Sequence, residues 1–170
     1  TIIDVDGHEY LDMYVADMSA FCGHAPPAVV EAVARRMALG NQFLMPGEDA
    51  IVVAEHLATR YGMPKWQFTL SASGANLDAM RLARAFTGRQ RVVVFGAKYH
   101  GHLDELLWSE GQPDGLGLPD SSGRHLVTVP FNDPAALDAA LAGDDVAAVV
   151  LEPVMTNCGL VMPQAGFHAQ

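Results

Sequence analysis

The sequence predicts an α/β fold with a mainly parallel sheet covered by helices. Its strand candidates are short and almost wholly apolar, as expected for strands that are buried on both faces of a parallel sheet. They comprise residues 66–70, 91–95, 125–129 and 146–151. Segments with the 3.6-residue apolar period of helices alternate with these strands. This alternation is typical of strand–helix–strand units, whose helices cover the sheet.

The first 45 residues are predicted to form a hairpin and then a helix. Residues 2–11 surround an Asp6-Gly7 pair, which is typical of hairpin turns. Proline is tolerated in the first turn of a helix and glycine often follows the last, so Pro26-Pro27 and Gly40 suggest the limits of the first helix. Its apolar face, which we expect to belong to a core, comprises Val29, Val30, Val33 and Met37.

Three further helices are predicted. One runs from residue 48 to residue 61, and another opens after the small-residue turn at 71–76 and ends at Gly88. The latter would turn its apolar residues inward; they are Leu77, Met80, Leu82 and Ala83. The last begins at Asp133-Pro134. Residues 111–123 are rich in Gly, Pro, Asp and Ser and are predicted to form a mobile loop.

Composition limits the classes of function. Half of the 170 residues are apolar, which is enough for one hydrophobic core, and the net charge of −10 argues against a nucleic-acid partner. Cys22 and Cys158 lie far apart and form no CxxC pair, so we expect free thiols in a reducing cytosol. No signal peptide and no bilayer-spanning apolar run is present in the sequence. We expect a soluble, cytoplasmic protein without membrane partners, of which these residues are one part.

Three segments follow predicted strands and are expected to meet at one edge of the sheet. They are residues 71–76, 97–102 and 152–157. Ligands of parallel sheets gather at the carboxyl ends of the strands. The small-residue turn at 71–76 offers a helix N-terminus to an anion, and Tyr99-His100 offers a ring and an imidazole to a flat π-system. Together these segments predict a site for a phosphorylated aromatic cofactor.

Each segment also has a simpler interpretation. The turn can be an ordinary Ser N-cap without a ligand, and Glu152 can be a strand-end acid that faces water. His100-Gly101-His102-Leu103-Asp104 has the HxHxD spacing of some dinuclear metallohydrolases, but the next residue is Glu105 where those enzymes usually have another His. A solvent-facing pair of histidines is the simpler alternative to that metal site.

Six motifs occur in a fixed order along the chain. They are residues 4–12 (DVDGHEYLD), 23–26 (GHAP), 46–48 (PGE), 71–84 (SASGANLDAMRLAR) followed by Thr87-Gly88-Arg89, 99–101 (YHG) and 152–154 (EPV). In this order and spacing they resemble the class III pyridoxal-phosphate aminotransferases, close to the glutamate-1-semialdehyde aminomutase branch. The resemblance covers essentially the whole chain.

The resemblance implies an incomplete type I fold of the pyridoxal-phosphate (PLP)-dependent transferases. Residues 1–45 would be an N-terminal segment of the small domain, and residues 46–170 the first part of the large PLP-binding domain. The cofactor would be pyridoxal 5'-phosphate. By resemblance, its phosphate turn comprises Ala72, Ser73 and Gly74, its ring stacks on Tyr99 beside His100, and Glu152 fixes the surrounding hydrogen bonds. Family members are typically homodimers.

The chain departs from the family pattern at several positions. Ala72 replaces the family's Gly, and Gly74 replaces its Glu. The Schiff-base Lys and the Asp that pairs with the pyridinium nitrogen follow the EPV element in the family, so we expect both beyond Gln170. Lys65 and Lys98 are the two lysines present, and neither lies in the family's Schiff-base context. We therefore expect no catalytic residue in this chain and no activity from it alone.

The resemblance predicts the function of the parent protein as amino-group transfer between a small-molecule amino donor and a carbonyl acceptor. Transfer between molecules (a transaminase) and within one molecule (an aminomutase, which is an isomerase) are both compatible with these residues. One alternative is a non-catalytic, truncated homologue that serves as a binding or dimerisation module. Another is a metallohydrolase that uses His100, His102 and Asp104.

Overall fold

The computed structural model describes residues 1–16, 19–42, 44–108 and 117–169. The chain divides into two compact units, Thr1–Trp66 and Gln67–Gln170. The domain boundary expected after residue 45 concerns the longer protein and stays a prediction. Of the predicted mobile loop at 111–123, residues 111–116 lie outside the described residues.

The first unit opens with the predicted hairpin. Strands β1 (Ile2–Ile3) and β2 (Glu9–Tyr10) pair antiparallel. Gly7 has a φ of +87°, a left-handed backbone that glycine adopts without steric cost. The Asp4 carboxylate accepts the Asp6 and His8 backbone N–H groups inside this turn. The hairpin prediction is confirmed.

Two helices complete the first unit, and both predictions are confirmed. They are α1 (Pro27–Met37) and α2 (Glu48–Tyr61), and Gly62 ends α2 in the left-handed conformation. Neither helix contains a buried residue. The apolar face of α1 is half-exposed, and its residues are Val29, Val30, Val33 and Met37. The prediction that this face belongs to a core is therefore wrong for this unit, because no other described element of the unit covers it.

The second unit alternates helices and strands as predicted. Its elements are α3 (Ala72–Thr87), β3 (Arg91–Phe95), α4 (Asp104–Leu107), β4 (Leu126–Val129), α5 (Pro134–Leu141) and β5 (Val146–Val150). The strand order is β4-β3-β5, and both pairings are parallel. The predicted parallel α/β class is confirmed, and the carboxyl ends of all three strands lie at one edge of the sheet.

The first of the four predicted strands, residues 66–70, is wrong. These residues form no regular element, and Leu70 is fully exposed. A strand must pair its backbone groups with a neighbour, and among the described residues none pairs with this segment. Apolar composition alone does not supply that neighbour.

The core of the second unit lies on both faces of the central strand β3. One cluster packs beneath α3 and comprises Met80, Val92, Val94, Leu106 and Leu126. The other packs beneath α5 and comprises Val93, Phe95, Val129, Val146, Met155 and Phe167. Burying both faces fixes where β3 ends and so positions the loop that follows it.

The inward face predicted for α3 is confirmed at Met80 and wrong at Leu82. Met80 is 2% exposed, whereas Leu82 is 68% exposed. Two positions turn a helix by about 200°, so residues 80 and 82 point in nearly opposite directions.

Among the described residues, no helix is both long enough and apolar enough to span a lipid bilayer.

Candidate functional site

The N-terminus of α3 begins at a capped turn with free donors. Ser71 has an extended backbone, and its Oγ accepts the Gly74 N–H at 3.0 Å. The N-cap interpretation of this turn is thus correct as local structure. The N–H groups of Ala72 and Ser73 have no acceptor among the described residues. Two donors at the positive end of the helix dipole therefore remain for an anion.

The loop after β3 is bonded to the first turns of α3. The His102 N–H donates to Ser73 Oγ at 3.0 Å, and Asn76 Nδ2 donates to the His100 carbonyl at 2.8 Å. These two bonds join residues more than 20 positions apart in the sequence. They bring the predicted phosphate turn and the aromatic-histidine loop together, as the sequence predicted.

Glu152 joins the end of β5 to the same loop. Its Oε1 accepts the Tyr99 N–H at 3.1 Å, and its Oε2 accepts the Thr156 N–H at 3.0 Å and the Thr156 hydroxyl at 3.2 Å. Burial alone would raise the pKa of this carboxyl group, but the donors from Thr156 and Tyr99 stabilise the charged form and hold its pKa below the usual value. The alternative of an acid that only faces water is therefore wrong.

His100 is buried at the centre of this arrangement. It is 9% exposed, and its Nε2 has no hydrogen-bond partner among the described residues. Burial lowers the pKa of His100, although the nearby Glu152 charge partly opposes that shift. The alternative of a solvent-facing pair is wrong for His100, while His102 is exposed. A buried polar atom without a partner marks a place where a further polar group fits.

Tyr99 presents its ring at the surface of the site. Its side chain is 46% exposed, and its ring meets the His102 ring edge-on with centroids 5.9 Å apart. The neighbouring Lys98 uses its ammonium group structurally, since Nζ donates to the Trp108 carbonyl at 3.1 Å. Burial lowers the pKa of Lys98. The exposed aromatic surface of Tyr99 suits stacking on a flat ligand.

The metallohydrolase alternative finds no support in the geometry. Within the described ranges, the one group of three ligand-type side chains close enough to share a cation is Asp4, Asp6 and His8. This exposed group lies in the first unit, and Asp4 Oδ2 there lies 3.0 Å from both His8 Nδ1 and Tyr10 Oη. The HxHxD residues are not gathered in this way.

Three contributors to the site were not assigned that role from the sequence. Asn76 and Thr156 hold the 97–102 loop through His100 and Glu152, and His102 bonds Ser73. Asn76 lies one helical turn beyond the phosphate turn, and Thr156 lies four positions after the strand-end acid. The spacing of Thr156 from Glu152 is a signal that sequence analysis can use, but the Asn76 bond depends on how α3 packs beside the loop after β3.

The residues present fit a phosphorylated aromatic cofactor. Free N–H groups and a hydroxyl surround the start of α3, and an exposed ring and a buried unpartnered imidazole lie in the adjoining loop. Gly74 places no side chain at this helix end, so it adds no negative charge against a phosphate. Ala72 keeps a backbone N–H without an acceptor among the described residues, so neither departure removes a donor from the start of α3.

The chain belongs to the class III aminotransferase family, whose sequence model matches residues 1–170. It is 42% identical over 99% of its length to a glutamate-1-semialdehyde 2,1-aminomutase of Sorangium cellulosum, and 40% identical over 96% to that of Methanothermobacter thermautotrophicus. The chain spans 41% of the length of each of these relatives.

Solved structures of related enzymes share its fold. A glutamate-1-semialdehyde aminomutase from Pseudomonas aeruginosa superposes with a TM-score of 0.89 at 43% identity, covering 98% of this chain and 38% of that one. The same enzyme has been solved in complex with PMP. An omega-transaminase from Sphaerobacter thermophilus superposes with a TM-score of 0.87 at 34% identity, covering 98% of this chain and 42% of that one. The architecture is a partial type I fold.

Proposed function

We propose that the protein containing this chain transfers amino groups with pyridoxal 5'-phosphate as cofactor. The observation that carries the proposal is the hydrogen-bonded junction of three segments in a member of the class III family. Tyr99 after β3 bonds Glu152 after β5 directly. Ser73 on α3 bonds His102, which lies in the same loop as Tyr99. This junction supports the proposal because it brings the N–H groups at the start of α3 to the loop that carries the exposed Tyr99 ring.

The chain would hold the two ends of the cofactor with different groups. The Ala72 and Ser73 N–H groups and the Ser73 hydroxyl would bind the phosphate, and the Tyr99 ring would lie against the pyridine ring. Gly74 completes the turn without adding charge. The bound cofactor supplies an aldehyde that condenses with amines and a ring that withdraws electrons from the reacting carbon.

The other residues of the site position these groups. Glu152 stays ionised because three donors face its two oxygens, and it thereby fixes the backbone of Tyr99. His100 stays neutral near pH 7 because burial lowers its pKa. A neutral imidazole offers one donor and one acceptor, so Nε2 can meet a polar group of a ligand or of the protein.

We propose small molecules as amino donor and carbonyl acceptor. The names of the relatives, aminomutase and omega-transaminase, support transfer within one molecule and transfer between molecules respectively. The higher identities to the aminomutases favour testing glutamate-1-semialdehyde first. We also propose a cytoplasmic homodimer; the free Cys22 and Cys158 support a reducing compartment, and the typical state of the family supports the dimer.

The experiment is turnover by the full-length protein with and without an added carbonyl acceptor. Consumption of glutamate-1-semialdehyde without an acceptor supports the aminomutase, and consumption of an amino donor only with an acceptor supports the transaminase. Full-length protein that binds the cofactor but turns over neither substrate contradicts the proposal and favours the non-catalytic binding module.

A matched pair of variants ties the reaction to this site. Tyr99→Ala removes the aromatic platform, and Tyr99→Phe keeps the ring and removes only the hydroxyl. We expect the affinity for the cofactor to fall about threefold to tenfold in the first variant and to change less than about twofold in the second. Equal behaviour of the two variants would show that the ring is not the contact.

A further inference from the structure

His102 contacts both parts of the site through different atoms. Its backbone N–H donates to Ser73 Oγ at 3.0 Å, and its ring lies edge-on to the Tyr99 ring at an interplanar angle of 81°. His102 therefore links the phosphate turn to the aromatic platform directly.

The bond to Ser73 determines what its hydroxyl can do. A serine hydroxyl carries one proton and two lone pairs. The His102 N–H occupies a lone pair, and the hydroxyl proton itself has no acceptor among the residues of the described ranges. Ser73 is therefore left as a donor next to the free N–H groups at the start of α3, which is the role that an anion requires.

Gly101 permits this approach. It is buried and has a φ of +98°, and a Cβ built on it would overlap Ser73 Oγ and lie 3.0 Å from Ser73 Cα. Because Ser73 Cα is a backbone atom, rotating a side chain cannot relieve the second of these clashes. A side chain at position 101 would therefore strain the loop backbone and push it away from the phosphate turn.

We propose that His102 is a positioning residue for both ends of the bound cofactor, on the basis of the proposed function. Its backbone, brought into place by Gly101, holds Ser73 as a donor to the phosphate. Its imidazole, which packs nearly perpendicular to the Tyr99 ring, holds the orientation of the ring that stacks on the pyridine. Because the two roles belong to different atoms, substitutions that affect only one of them can be compared by measuring ligand affinity.

The experiment titrates the full-length apoprotein with pyridoxamine 5'-phosphate and with pyridoxamine by calorimetry. Neither ligand carries the aldehyde, so covalent attachment does not obscure the affinities, and their ratio reports the contribution of the phosphate. His102→Ala keeps the backbone N–H and loses the ring. We expect it to weaken both ligands by a similar factor of about three to ten, and His102→Phe to restore both to within about twofold.

The backbone role is tested at Gly101. We expect Gly101→Ala to weaken pyridoxamine 5'-phosphate about tenfold or more while pyridoxamine changes little. Gly88→Ala is the matched control, because Gly88 has a φ of +70° with nothing within 4 Å of an added Cβ. In a Ser73→Ala background, Gly101→Ala should lower the ratio of affinities much less, since the hydroxyl that it displaces is already gone.

The outcomes separate the proposal from the function on which it rests. A wild-type protein that binds neither ligand overturns both. A wild-type protein that prefers the phosphorylated ligand, with His102→Ala unchanged or not rescued by His102→Phe, overturns the positioning role alone. Equal loss of both ligands in Gly101→Ala also overturns it. If Gly101→Ala does not fold, the comparison of His102→Ala with His102→Phe still tests the role of the ring. The ratio of the two affinities in Ser73→Ala still tests the role of the hydroxyl.

Discussion

Replacing Glu152 with glutamine tests the hydrogen bonds that join the three segments, and it hardly changes the size of the side chain. The carboxylate accepts three hydrogen bonds, from the Tyr99 N–H and from the N–H and hydroxyl of Thr156. Glutamine keeps the size of the side chain but offers only one acceptor oxygen, and its NH₂ group can only donate. It can therefore satisfy Tyr99 or Thr156, but not both.

The expected loss follows from the number and type of these bonds. A hydrogen bond to a charged group contributes about 1.5–3 kcal/mol, and less where water can replace the partner. Glu152 is only partly buried. Losing one side of the carboxylate should therefore lower the free energy of unfolding by about 1–3 kcal/mol. The affinity for pyridoxamine 5'-phosphate should fall about twofold to tenfold if half of that loss reaches the Tyr99 platform.

The assay combines urea unfolding with calorimetric titration of the full-length apoprotein. Asp144→Asn is the matched control, because it makes the same change of carboxylate to amide at a side chain that is fully exposed and paired with Arg89. We expect that variant to change the unfolding free energy by less than about 1 kcal/mol. If Glu152→Gln behaves like Asp144→Asn in both measurements, the account of the junction is refuted.

Two further predictions concern stability. Burial holds the pKa of His100 below its ordinary 6.5, so as the pH falls the imidazole is protonated in the unfolded chain before it is protonated in the folded chain. The stability that this group contributes above pH 6.5 is therefore lost as the pH falls through the pKa of the folded state. The bonded Glu152 adds a second loss below its ordinary 4.5, and urea unfolding against pH should show the first loss disappear in His100→Gln. Arg84 makes a bidentate ion pair with Glu105, and both side chains are less than a quarter exposed. Lysine cannot reproduce this fork, so Arg84→Lys should lower the unfolding free energy by about 1–2 kcal/mol, and an unchanged urea midpoint would count against that pair.

Local chemistry explains why most element limits were predictable. Glycine in the left-handed conformation ends helices without steric cost, and Gly62 and Gly88 do so here. Asp133 caps α5 by accepting the Ala136 N–H, as its position before proline indicated. The apolar strand β3 is buried on both faces because helices cover both sides of the sheet.

What could not be predicted depends on long-range pairing. Residues 66–70 have the composition of a strand but no partner among the described residues, and the angular position of Leu82 on α3 is visible only relative to the sheet. The site was predictable as three segments at one edge. Its bonds were not, because the Asn76–His100 bond depends on how α3 packs beside the loop after β3, and the Tyr99–Glu152 bond depends on the register between β3 and β5. The sequence pattern does not specify either contact.

A crystal structure of the full-length protein with pyridoxamine 5'-phosphate would show which groups hold the cofactor. We expect phosphate oxygens at hydrogen-bond distance, about 2.7–3.2 Å, from the Ala72 and Ser73 nitrogens and from Ser73 Oγ. We also expect the pyridine ring against Tyr99. A ligand bound elsewhere, or a phosphate held by other groups with the start of α3 empty, would contradict the proposed site.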